Sequence, residues 1–140
     1  MVTVLRSTLK SVIMARYCKL LILFAFLCFA SCQEGREAGD LLGQWRLAGS
    51  DMNYLSFSGS VALFRNSEST DNQVYGNFQH KGDSLFIQCY SAKGKARDTL
   101  IVEDYFGFKP FNDIRLKVVT LDRNKIILTK DGNAWAFEKY

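Results

Sequence analysis

Histidine is nearly absent from this chain. His80 is the only one, and it lies beside the turn residues Lys81-Gly82-Asp83. With no second imidazole and no His or Cys pair at metal-ligand spacing, the sequence offers neither a histidine-based acid/base constellation nor a metal site. Paired carboxylates are missing too. Glu103 and Asp104 are adjacent in a stretch that reads as a strand, which sends their side chains to opposite faces. Ser58-Gly59-Ser60 lacks the strand-turn-helix setting of a nucleophile elbow. These absences argue against an enzyme, and no cofactor is expected.

A basic surface is the next absence. The formal charge of +4 comes from Arg6, Lys10, Arg16 and Lys19, all within the first 31 residues, which contain no acid. The rest of the chain carries 14 basic and 14 acidic residues. Its zero balance gives a nucleic-acid partner no support. A full membrane span is also lacking, since the apolar run Leu20 to Ala30 covers only about half of a bilayer core.

What is present in that region is a basic stretch, the apolar run, and then Ala30 and Ser31 immediately before Cys32. The arrangement resembles the lipobox of bacterial lipoproteins, with Phe29 standing where an aliphatic residue is usual. The resemblance implies a leader, 1–31, cut before a cysteine that takes acyl chains such as palmitate on its sulfur. Met14 begins a compact basic segment of its own and is a candidate for the true start. Gln33 after the cysteine resembles lipoproteins sent to the outer membrane, and Glu34 and Glu37 resemble surface-export signals. The expected location is the cell envelope, anchored to the outer membrane by lipid and open to surface exposure. Loss of Cys18 and Cys28 with the leader, and acylation of Cys32, would leave Cys89 alone, so no internal disulfide is expected. Cys89 itself reads as a small buried apolar residue on a strand.

Residues 32–40 have no large apolar side chain and read as a tether. Its last eight residues span at most about 26 to 29 Å. Residues 41–140 form one domain. There, short alternating runs recur about every ten residues, cut by turn residues that tolerate positive φ. Expected strands are Gln44–Ala48, Asn53–Phe57, Val61–Arg65, Val74–His80, Ser84–Ser91, Asp98–Tyr105, Asp113–Leu121, Lys125–Lys130 and Ala134–Lys139. No helical stretch is expected among them, and the single proline, Pro110, falls between strands. Strands with one apolar face each must stack as two sheets or close, and closure removes exposed edges. The expected fold is all-β, a small antiparallel up-and-down barrel of about eight or nine strands.

At the first strand the chain reads Leu41-Leu42-Gly43-Gln44-Trp45. This resembles the Gly-x-Trp opening of lipocalins and related barrels. The resemblance implies that Gly43 permits a close turn and Trp45 caps the closed end. The second lipocalin motif survives only at Asp104-Tyr105, and the stretch from Leu47 to Asn53 is too short for the helical lid of fatty-acid-binding proteins.

Three groups of residues are candidate sites. Phe57, Phe64, Phe78, Phe86, Trp135 and Phe137 could line a cavity for a small hydrophobic or amphipathic ligand, or fill the core outright. The aromatic stretch Tyr105, Phe106, Phe108 and Phe111 reads as a plug or as a contact patch. Strand parity over nine strands puts it on the rim where the first strand begins, facing the membrane. Lys93, Lys95 and Arg97 form a basic loop on the opposite rim, the expected ligand entrance, together with the polar Asn66 to Gln73. Binding without catalysis is one functional reading. The alternative is a protein-binding barrel that inhibits an envelope hydrolase or joins an assembly through its rim loops.

Overall fold

The computed structural model describes residues 2–31 and 38–140, with side chains described for 6–26 and 38–140. Two compact units are present, Met1–Glu34 and Gly35–Tyr140. In the first, α1 (Val2–Ser31) is one continuous helix. Among the described residues no helix is long and apolar enough to cross a membrane.

The second unit is a closed barrel of eight antiparallel strands: β1 (Gly43–Leu47), β2 (Asn53–Ser58), β3 (Val61–Asn66), β4 (Gln73–Lys81), β5 (Ser84–Tyr90), β6 (Ile114–Leu121), β7 (Lys125–Lys130) and β8 (Asn133–Lys139). Each strand pairs with the next in sequence, and β1 pairs with β8 to close the sheet. The alternation that predicted these strands is the alternation of their burial. In β6, Ile114 and Leu116 point inward while Arg115 and Lys117 face water.

The interior is packed with side chains. Phe57 meets Phe78 edge to face at 5.0 Å, and Phe64 meets Phe106 at 5.1 Å and Phe108 at 5.9 Å. Even at Gly76 an added Cβ would stand 3.0 Å from Ile87 Cγ2 and 3.2 Å from Cys89 Sγ. That is tighter than ordinary van der Waals contact, so the glycine is what lets β4 lie close to β5.

One expected strand is helical. Lys95–Leu100 forms α2, and the chain continues as a π-helical turn over Ile101–Tyr105, where Phe106 N–H donates to Ile101 O at 3.3 Å. Asp98, Ile101 and Val102 are the buried positions, at the spacing of one helix face. The β-branched Thr99, Ile101 and Val102 favour a strand locally, but this segment covers an end of the barrel, where a helix satisfies its own backbone groups without a neighbouring strand. Glu103 and Asp104 are therefore neighbours on a helical turn and do not point to opposite faces of a sheet.

Loss of one strand reverses the parity for everything after β5. The aromatic stretch connects β5 to β6 and lies on the same rim as the basic loop, opposite the end where β1 begins. The rim expected to face the membrane with these aromatics does not carry them. A smaller correction concerns the tether: Ala38 is fully buried, and Gly39–Leu41 form a 3-10 turn in which Leu41 N–H donates to Ala38 O at 2.7 Å. The domain thus includes residues that composition alone assigned to the linker. Residues 32–37, including Cys32, lie outside the described residues.

Candidate functional site: a rim pocket beneath the helical insert

The two barrel ends are built differently. At the entry end, Trp45 is fully buried and its Nε1 donates to Leu41 O at 2.8 Å, which locks the 3-10 turn across the opening. Lys139 Nζ sits 4.4 Å from the centroid of the Trp45 ring and also donates to Leu42 O. Gly43 has φ of 118°, and a Cβ there would collide with the Lys139 side chain. The positive φ is what requires glycine, because the Lys139 ammonium end is flexible and can shift aside.

At the opposite rim the insert from α2 onward folds over the mouth. Phe106, Phe108 and Phe111 are buried, and Tyr105 is partly exposed. Phe108 packs edge to face on Trp135 at 5.0 Å and lies 6.3 Å from Phe137. Gly107, at φ 81°, brings the loop within 3.2 Å of Trp135 Nε1 as measured from an added Cβ. Beneath the insert a polar clamp fixes the end of the helical turn. Asn66 Nδ2 donates to Asn53 Oδ1 at 2.7 Å, and Asn53 Nδ2 donates to Tyr105 O at 3.0 Å. Both asparagines are buried, so each bond replaces water that the site excludes.

A pocket of about 390 Å³ opens between the insert and the end of β5. Cys89 and Phe111 lie at its apolar side; Lys95, Thr99 and Glu103, one helical row, carry its polar side. Burial pushes the Cys89 thiol up to about 12, so it is a neutral, unreactive surface at ordinary pH. Asp98 is buried on α2 and accepts from Ser91 Oγ at 2.7 Å, joining the helix to the residue that follows β5.

The expected site residues divide accordingly. Phe57, Phe64, Phe78 and Phe137 are buried in the barrel interior. Trp135 is at the rim against Phe108. Phe86 is corrected outright: Leu85 and Ile87 point inward, so Phe86 lies on the outer face with the Arg115 guanidinium 6.0 Å from its ring centroid. In the basic loop, Lys93 Nζ donates to Asp71 Oδ1 at 3.1 Å and Arg97 Nη2 to Asn72 Oδ1 at 2.6 Å. Only Lys95 of the three turns to the pocket. Thr99, Glu103 and Asn112 were missed as pocket residues. Reading Asp98–Tyr105 as a strand set Thr99 and Glu103 far apart along an extended chain, and a search for residues at i, i+4 and i+8 would have gathered them with Lys95; Asn112 fell between expected strands.

An eight-stranded up-and-down barrel capped at one end by a Trp-bearing first strand defines a lipocalin-like barrel, a fold suited to binding. The chain belongs to the lipocalin-like domain family, whose model matches residues 27–140. It is similar in structure to a lipocalin-like protein from Bacteroides uniformis, with 23% identity, a TM-score of 0.57, and coverage of 73% of this chain and 100% of that one. A protein from Bacteroides eggerthii is similar at 20% identity, a TM-score of 0.54, and coverage of 71% and 98%. No curated protein matches the chain.

Proposed function

We propose that this protein is a lipid-anchored envelope binding protein that holds a small amphipathic molecule in the rim pocket beneath α2, without transforming it. The observation that carries the reading is the pocket's lining: apolar on the side of Cys89 and Phe111, polar along Lys95, Thr99 and Glu103. Its volume of about 390 Å³ is within the usual range for small-ligand sites, roughly 300 to 1,000 Å³. The packed aromatics of the interior leave the rim as the better seat for a ligand. A molecule with an acyl body and an anionic end fits, its body on Phe111 and its charge at Lys95. Binding without catalysis is supported by the position of His80, which pairs with Leu85 next to the β4–β5 turn, at the rim opposite the pocket.

The anchor is the acylated Cys32 implied by the residues before it. Because the barrel is entered at the Trp45 end, an anchor at Cys32 turns the pocket rim away from the membrane, toward molecules arriving from the aqueous side. Native mass spectrometry with decanoate tests the pocket. A one-to-one adduct is expected for the wild type and none for Thr99→Trp, which fills the site. No adduct, or one that survives in Thr99→Trp, refutes it. Labelling with radioactive palmitate tests the anchor separately, since Cys32→Ala should lose both the label and the membrane association.

A further inference from the structure

The outer face over β4, β5 and the start of β6 differs from an ordinary solvated sheet, because its central rows hold aromatics and carboxamides in place of charges. Register sets Tyr75 opposite Tyr90, Asn77 opposite Gln88, and Gln79 opposite Phe86. Phe86 in turn is opposite Arg115 on β6. Tyr75 and Tyr90 stack at 6.4 Å with 16° between their planes, and both are exposed. Adjoining them, a groove of about 450 Å³ runs over Asn77, Gln79, Phe86 and Gln88. Arg115 and Asp113 form its far wall, where Arg115 Nε donates to Asp113 Oδ1 at 3.1 Å. That pair is internally neutral, so the groove as a whole offers no uncompensated charge.

The lining selects among ligand classes. A wholly apolar molecule would strand the three amides without partners, at the desolvation cost of each. A polyanion would meet one cation, already paired with Asp113. An added peptide strand has no edge to join, since the barrel is closed. What remains complementary is a ligand with an apolar C–H face and hydroxyls at its rim. A carboxamide donates and accepts in one plane, as vicinal hydroxyls require, and an aromatic ring presents an electron-rich face to C–H bonds. Three strands span about 10 Å across the groove, wide enough for a short run of sugar rings. We propose that this face binds a neutral oligosaccharide, with the Phe86 ring as platform and Asn77, Gln79 and Gln88 bonding the hydroxyls. The site is separate from the rim pocket and does not depend on it.

The test is electrophoresis of the full chain in native gels containing dextran, galactomannan or xyloglucan, with polygalacturonate as the polyanion. At least one neutral polymer should retard the wild type. Phe86→Ala should weaken that retardation about tenfold. Asn77→Ala and Gln88→Ala should each weaken it about three- to tenfold. Asn77 and Gln88 are exposed, so thermal unfolding of their variants should stay at the wild-type temperature; Phe86 is half-buried on the outer face, so Phe86→Ala is compared at a temperature where circular dichroism shows it folded. Thr99→Trp should be retarded like the wild type. The proposal is overturned if no neutral polymer retards the chain, if Phe86→Ala is retarded equally, or if only polygalacturonate acts. A self-association in sedimentation that Phe86→Ala dissolves would also overturn it, by making this face a contact between copies.

Discussion

Where the chain enters the barrel, closure takes a short turn and one indole: Gly39–Leu41 bends across the opening, and Trp45 bonds back to Leu41 O from the adjacent strand. At the far end, closure takes the whole connection between β5 and β6, with α2, its π-helical turn, three buried phenylalanines and a two-asparagine clamp drawn from other strands. The first closure is built mainly from consecutive residues, braced by Lys139 of β8. The second is assembled from parts distant in the chain, and the pocket lies in it. A site for ligands belongs at such an end, because an insert held by a few bonds can be remodelled without dismantling the sheet.

The largest test of this contrast sets Trp45→Ala beside Phe108→Ala. Each removes a fully buried aromatic and is expected to cost about 3–5 kcal/mol in denaturant unfolding. Equal costs would mean that both ends unfold with the barrel. If Phe108→Ala leaves the midpoint unchanged but speeds amide exchange at Phe106 and Phe108, which bond to Ile101 O and Val102 O, the insert opens by itself.

The clamp sharpens the same question at lower cost. Asn66→Ala leaves the buried Asn53 Oδ1 without its donor and is expected to cost about 1–3 kcal/mol. The accompanying rise in amide exchange should concentrate in α2 and the turn after it, sparing the Trp45 end.

Cys89 supplies the smallest effect and one with a definite pH window. The folded state holds the thiol proton from an ordinary value of 9.0 up to about 12, so ionisation favours the unfolded chain. The contribution is intact below pH 9 and is lost as pH rises toward 12. By pH 10 the loss is about 1.4 kcal/mol. Cys89→Ala should remove that increment from the fall in stability between pH 8 and pH 10, and an unchanged fall would show that the thiol is not sealed under the insert.

Much of this was legible in the residues. Ile114, Arg115, Leu116 and Lys117 state a half-buried strand by themselves, and pairs such as Lys81-Gly82 state where strands turn, because side-chain alternation and backbone freedom are properties of a few consecutive residues. Gly43 and Trp45 stood out only through the resemblance of their stretch to the lipocalin opening. The segment from Lys95 to Tyr105 was not legible. Its β-branched residues favour a strand, and only the need to cover an open barrel mouth, with no neighbouring strand free to pair, makes it helical. Rim assignments then failed together, since one strand too many reverses the parity of every later connection.

By itself, then, the sequence determined where eight strands alternate and turn, the all-β barrel, and the even charge balance of residues 32–140. Tertiary structure decided which rim carries the aromatics, which helical row faces the pocket, and that Tyr75, Asn77, Gln79, Phe86, Gln88 and Tyr90 form one continuous strip. Those outcomes depend on register between strands and on the shape of the opening to be covered, quantities set by contacts between distant residues and by no single stretch of chain.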